Sequence, residues 1–253
     1  MAKYCSNTIV VIHNAGPRTV DRWVEHPNVT ALIFAHLPGQ DSGRAVVQLL
    51  YGDVSPSGKM PYTLAKNESD YNTLSPSEAV GEYYFFPQSE FSEGVYIDYR
   101  DFDKKNITPR YEFGFGLTYT NFSYSDLKIE LLPNTQISYL PPPSAIVEGG
   151  TASLWDVVAR VEAVVTNTGN VDAAEVAQLY IGIPGAPPKQ LRGFNKALIK
   201  AGDRVTVSFD LLRRDLSEWN VAEQSWGLQQ GGYQIYVGSS SRDLPLTSSM
   251  VIG

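Results

Sequence analysis

Beyond Phe122 the sequence alternates apolar and polar side chains, and this period of two limits the fold more than any other feature. It runs through Ser123 to Leu131, Val157 to Val165, Val176 to Ile183, Val205 to Phe209 and Tyr233 to Val237. Successive side chains of a strand point to opposite faces, so each run can bury one face and solvate the other. Turn-forming stretches at Asn167-Thr-Gly-Asn170, Lys200-Ala-Gly-Asp203 and Gln230-Gly-Gly232 separate the runs. About seven short strands in roughly 130 residues predict an antiparallel β-sandwich. Leu140-Pro-Pro-Pro143 falls in a loop within it.

The first third reads differently. Thr8 to Ile12 and Val29 to Ala35 are continuous apolar runs, the pattern of strands buried on both faces of a parallel sheet. Thr19 to His26 reads as a short helix between them. Asp41 to Tyr51 reads as a second helix, with Ala45, Val46, Leu49 and Leu50 on one face. The fold class is therefore α/β plus all-β, a partial layer of parallel strands and helices followed by the sandwich. Two strands do not complete a covered sheet, so the rest of the layer is expected upstream of Met1. From Ser55 to about Tyr119 periodicity gives way to Pro, Gly and aromatics. That stretch is too long for an ordinary connector and too apolar for a disordered tether. It reads as an ordered segment that wraps on its neighbours. The divisions are 1–66 for the α/β layer, 67–118 for the wrapping segment and 119–253 for the sandwich.

The 253 residues carry 20 Lys and Arg against 27 Asp and Glu, a net charge of −7. Such a surface repels phosphate backbones and anionic lipid, which argues against nucleic acid and membrane as partners. The single cysteine, Cys5, excludes an intrachain disulfide and reads as a small buried hydrophobe. Four acceptor sequons, at Asn28, Asn67, Asn106 and Asn121, point to N-glycosylation and a secreted protein. Met1-Ala-Lys-Tyr-Cys5 runs directly toward an apolar strand without the features of a signal peptide. The two observations agree if the natural N-terminal portion lies outside this chain.

Three stretches carry a specific resemblance: Leu37-Pro-Gly-Gln-Asp-Ser-Gly43, Gly52-Asp-Val-Ser-Pro-Ser-Gly-Lys59, and Phe91 to Arg100 continuing through Pro109-Arg-Tyr-Glu-Phe-Gly-Phe-Gly-Leu-Thr-Tyr119. Together the chain resembles the fungal β-glucosidases of glycoside hydrolase family three. Val165 to Val171 and Gln190-Leu-Arg-Gly-Phe194 resemble the fibronectin-type-III-like, immunoglobulin-like domain of the same enzymes, so the resemblance covers essentially the whole chain. It implies a barrel, an α/β sandwich and this β-domain in that order, with the chain beginning partway through the second. It also implies a retaining hydrolysis of terminal β-D-glucosyl residues from cellobiose or aryl glucosides, in polysaccharide breakdown and with no cofactor. The family's Asp nucleophile and Glu acid/base correspond to positions upstream of Cys5, and no catalytic residue is assigned here. The partners implied are a β-glucoside or cello-oligosaccharide substrate and the missing barrel domain.

Glu93, Asp98, Asp101 and Asp103 are the tempting carboxylates, since a retaining glycosidase sets two about 5 Å apart. Their plainer role is to anchor their segment through hydrogen bonds and pairs with Arg100 or Arg110. His13, His26 and His36 lack the spacing of helical metal ligands, although His13 and His36 follow the two strands, where α/β proteins place ligands. Gly52 to Lys59 fails as a phosphate loop, because five residues separate Gly52 from Gly58 and Met60 stands where Ser or Thr would bind magnesium. Gly39 and Gly43 are read as sites of close backbone packing, with Asp41 or Ser42 capping the helix. Trp155, Trp219, Trp226, Tyr180 and Tyr233 either form a platform for sugar rings or, as alternating strand residues, mostly face the core. The rival to a hydrolase is a non-catalytic carbohydrate-binding or structural module.

Overall fold

The computed structural model describes residues 1–71, 81–86, 91–133, 135 and 137–253. The chain forms two compact units, residues 1–50 with 60–113, and residues 51–59 with 114–253.

In the first unit β1 (Thr8–Ile12) pairs in parallel with β2 (Val29–Phe34), Ile9 opposite Ala31 and Ile12 opposite Phe34. Both strands are rich in β-branched residues, which favour this pleated geometry. Their residues are nonetheless all half-buried or exposed, contrary to strands covered on both faces. Two paired strands and the described residues around them leave each position partly open to water. Helix α1 (Ser42–Leu50) forms as the periodicity requires, and it too buries no residue fully.

The segment 19–26 is not a helix. It makes successive turns, with the Trp23 and Val24 amides donating to the Val20 carbonyl and the His26 amide to the Trp23 carbonyl. Pro27 disfavours helical backbone at His26. Arg110 instead pairs with both Asp21 and Glu25, holding the turn from outside.

The core of this unit comes largely from the Pro- and aromatic-rich stretch. Met60, Leu64, Ala65, Tyr99 and Phe102 are buried, together with Val20. Leu64 exchanges backbone hydrogen bonds with Tyr111 at 2.8 and 3.2 Å, and α2 (Tyr99–Lys104) carries Tyr99 and Phe102 inward.

The second unit contains β3 (Phe122–Leu131), a two-residue pair β4 (Ile146–Val147) and β5 (Gly150–Thr151), β6 (Val157–Asn167), β7 (Ala173–Gly182), β8 (Gln190–Ile199), β9 (Arg204–Leu212), β10 (Ser217–Asn220), β11 (Ser225–Leu228), β12 (Gly231–Gly238) and β13 (Leu246–Ile252). A sheet in the order β13-β12-β7-β8 and a sheet in the order β3-β6-β9 hold seven of these strands, all antiparallel, as the alternation requires. Val161, Ala163, Val165, Leu179, Ile181, Phe209, Ile235 and Val237 meet in one apolar cluster between them. β7 is buried at every position from Ala177 to Gly182, which explains its blurred alternation. Its second face is covered in turn: Gln178 Nε2 donates to the carbonyls of Gly114 and Ser239, and the Tyr180 hydroxyl donates to Gln178 Oε1 at 2.7 Å.

Candidate functional site

Asp98 is spent on structure. Its carboxylate accepts from the Thr63 amide at 2.9 Å, the Thr63 hydroxyl at 2.7 Å and the Tyr99 amide at 2.6 Å. It does so at φ +52° and ψ −137°, a conformation that side-chain-bearing residues rarely adopt. Asp101 is buried and pairs with Lys105 at 2.9 Å, while Glu93 and Asp103 are half-buried. Anchoring is thus what Asp98 and Asp101 do, with different partners from those expected, because Arg110 goes to Asp21 and Glu25. Its double hydrogen bonding to these acids raises the Arg110 pKa.

The histidines stay apart in role. His13 is exposed, and His26 Nδ1 accepts from the Asn28 amide at 3.1 Å. His36 sits at φ +50° after β2, with its ring edge-on to Tyr62 at 5.5 Å. Among the described residues no group of three or more His, Cys, Asp or Glu could hold a metal ion. Cys5 is exposed rather than buried, its thiol donating to the Asn7 carbonyl at 3.2 Å. Among the described residues Gly39 and Gly43 pack against nothing, since a Cβ built on each would meet no atom within 4 Å. Gly39 is required by its left-handed φ of +77°. Asp41 opens α1 through its carbonyl, which accepts from the Ala45 amide, and its carboxylate pairs with Arg44.

Residues 51–59 belong to the sandwich unit, and local reading missed what holds them. Lys59 Nζ lies 3.1 Å from Glu175 Oε1, which also accepts from the Tyr124 hydroxyl at 2.7 Å. Burial, and then the Glu175 charge, push the Tyr124 pKa far up. Ser55 Oγ accepts from the Tyr119 amide at 3.0 Å, and a Cβ at Gly116 would stand 2.3 Å from the Gly58 carbonyl oxygen. Asn167 completes this end of the sandwich. Its amide donates to the carbonyls of Val171 and Ile199, and its Oδ1 accepts from Thr120 Oγ1 and the Gly169 amide. The only sequence signal for these roles is the polar Asn167-Thr-Gly-Asn170 motif.

The aromatic candidates divide. Tyr180 and Tyr233 are fully buried, the Tyr233 hydroxyl donating to the carbonyls of Leu216 and Gln229. Trp155 and Trp219 stay 38% and 44% exposed. Trp219 pairs across the β10–β11 hairpin with half-buried Trp226, ring centroids 5.6 Å apart and edge-on. The Arg214 guanidinium lies 5.3 Å from the Trp155 ring and 5.1 Å from the Trp226 ring. In the first unit, a cleft is lined by Arg18, Arg22, Trp23, Lys66, Asn67 and Tyr71. Of the sequon asparagines, Asn67, Asn106 and Asn121 are exposed, whereas Asn28 is half-buried and donates its amide to the Ala2 carbonyl at 2.7 Å.

A parallel strand pair and its helix are thus followed in sequence by a seven-stranded antiparallel sandwich. Residues 1–119 match the glycosyl hydrolase family 3 C-terminal domain and residues 175–241 a fibronectin type III-like domain. The chain carries a glycosyl hydrolase family 3 C-terminal domain and a fibronectin type III-like domain. It is 61% identical over 253 residues to the probable beta-glucosidase M of Aspergillus niger, covering 100% of this chain and 33% of that protein. It is 54% identical to the beta-glucosidase cel3A of Pyricularia oryzae, covering 100% of this chain and 32% of that one. The crystal structure of the beta-D-glucoside glucohydrolase from Trichoderma reesei superposes with a TM-score of 0.91 at 46% identity, over 100% of this chain and 34% of that one. Beta-glucosidase 3B from Thermotoga neapolitana, in complex with alpha-D-glucose, gives 0.76 at 31% identity, over 97% of this chain and 31% of its own. The chain spans about a third of the length of the curated relatives it matches.

Proposed function

We propose that the whole protein is a retaining β-glucosidase that releases terminal non-reducing β-D-glucosyl residues from cellobiose, cello-oligosaccharides or aryl glucosides, and that this chain is its C-terminal portion. The observation that carries the proposal is 61% identity, over all 253 residues, to a protein named as a probable beta-glucosidase. In this reading the nucleophile and acid/base lie on a barrel and an upstream sandwich loop outside the chain. The residues here support those domains. The engagement of Asp98 and Asp101 in hydrogen bonds and an ion pair is consistent with a structural role for this portion. We further propose a secreted glycoprotein acting in cellulose or related polysaccharide breakdown, modified at Asn67, Asn106 or Asn121, whose side chains are exposed.

The test uses p-nitrophenyl β-D-glucoside. The 253-residue chain should show no turnover above a heat-treated blank, and a protein extended to the length of the relatives should be active. Turnover by the short chain alone would overturn the placement of the carboxylates, and an inactive extended protein would overturn the enzymatic reading. The exposed tryptophans of the sandwich support a second, compatible role for this portion in holding carbohydrate.

A further inference from the structure

One of the four sequons opens onto a cleft. Residues 17–23 and 66–71 of the first unit line a cavity of about 1140 Å³, as large as sites that enclose small molecules, about 300–1,000 Å³. Asn67 is one of its lining residues and is exposed. Its side-chain amide nitrogen, the atom an N-glycan is attached to, donates to no described residue, whereas that of Asn28 donates to the Ala2 carbonyl at 2.7 Å. The backbone at the attachment point is held. The Asp70 carboxylate accepts from the Asn67 amide at 3.0 Å, and the Asp70 amide donates to the Asn67 carbonyl at 3.1 Å.

The walls suit a sugar. Trp23 and Tyr71 contribute half-buried side chains. Tyr71 is fixed in place: its hydroxyl donates to the Thr63 carbonyl at 3.1 Å and accepts from the Ala65 amide at 3.0 Å, and its ring meets Phe102 edge-on at 5.8 Å. A ring fixed before binding loses little entropy on binding. Arg18, Arg22 and Lys66 are exposed and pair with no carboxylate among the described residues, while Asp21 in the same cleft is held by Arg110. N-acetylglucosamine carries C–H groups on its faces and acetamido and hydroxyl oxygens around its edge. It therefore calls for aromatic planes with free N–H donors beside them.

We infer that the innermost sugars of an N-glycan on Asn67 fold back into this cleft and pack against Trp23 and Tyr71. The attachment point decides for this occupant over a dissolved ligand. A group tethered to the cleft's own wall is present at an effective concentration of roughly millimolar, which fills a site of weak intrinsic affinity. The glycan then shields two aromatic rings that the polypeptide leaves half open. The inference rests on the secreted-glycoprotein reading above.

Secreted from yeast behind a foreign leader, the 253-residue chain should carry a glycan at Asn67, read by mass spectrometry of the peptide that contains it. N-bromosuccinimide should then oxidise Trp23 about threefold more slowly than in the unglycosylated chain made in bacteria. Ser69→Ala removes the sequon and leaves Asn67 in place. In the secreted chain it should restore oxidation of Trp23, and in the bacterial chain it should change neither oxidation nor the thermal midpoint, since Ser69 is exposed. Ser69→Thr should keep the protection. Free N,N′-diacetylchitobiose at roughly tens of millimolar, above the effective concentration of the tether, should protect Trp23 in the bacterial chain, which shadowing by a nearby glycan would not explain. A glycan on Asn67 with Trp23 unprotected, protection that survives Ser69→Ala, or no protection by the free disaccharide would overturn the inference and leave the glycoprotein reading standing. An unmodified Asn67 in the secreted chain would overturn both at this residue.

Discussion

Lys59 and Glu175, 116 positions apart, meet at 3.1 Å with their side chains only 11% and 4% exposed. A buried carboxylate that loses its cation keeps the full cost of desolvation. Lys59→Met should therefore destabilise the chain by about 3–5 kcal/mol, measured by urea unfolding. Adding Glu175→Gln should recover most of that loss, because the stranded charge goes with it. A double variant no more stable than Lys59→Met alone would show that the pair does not anchor residues 51–59.

Asp98 combines three hydrogen bonds with a backbone conformation suited to glycine. Asp98→Ala loses the hydrogen bonds and keeps the strain, and should cost about 2–3 kcal/mol. Asp98→Gly loses the same bonds while relaxing the backbone, so it should cost less. Thermal unfolding of the two variants in parallel gives the comparison, and the reverse order would mean that the conformation at residue 98 carries no strain.

Burial raises the Asp215 pKa, opposed by a hydrogen bond from the Leu212 amide and by Arg192 and Arg214. A carboxyl whose folded pKa exceeds its unfolded value binds more protons in the folded state. Its contribution to stability is therefore fully present below the unfolded pKa, about 3.9, and is lost as pH rises through the folded pKa. Asp215→Asn can keep the acceptor for Leu212 and removes the buried charge. Its thermal midpoint should exceed that of the parent at pH 7, and the difference should vanish in strong acid. A variant less stable than the parent at pH 7 would show that the nearby arginines outweigh burial.

The first unit leaves Leu37, Val47, Phe85, Phe86 and Phe91 between 50% and 81% exposed, and among the described residues no further strand pairs with its two-stranded sheet. Apolar surface and unpaired edges of this kind recruit further chains. Light scattering at tens of micromolar, an order-of-magnitude choice for association-prone species, should show oligomers that grow with concentration. Val47→Glu with Phe91→Lys should reduce them. A monomeric parent chain would mean that this surface is tolerated in water.

The amino-acid sequence by itself determined the antiparallel sandwich, the parallel pair β1–β2 and helix α1. In each, the signal is a local periodicity, two in the strands and about 3.6 in the helix. The family was legible in its motifs as well. Only the tertiary structure decided that Gly52 to Lys59 belongs to the sandwich unit, since contacts such as Lys59 to Glu175, 116 positions apart, leave no periodic trace. It also decided that Arg110 reaches Asp21 and Glu25 from 89 and 85 positions away. The aromatics make the same point: alternation placed Tyr180, Tyr233 and Trp219 alike on strands, but burial depends on what lies above each face. Gln178 and Gly114 close over Tyr180, while Trp219, edge-on to Trp226, stays 44% exposed.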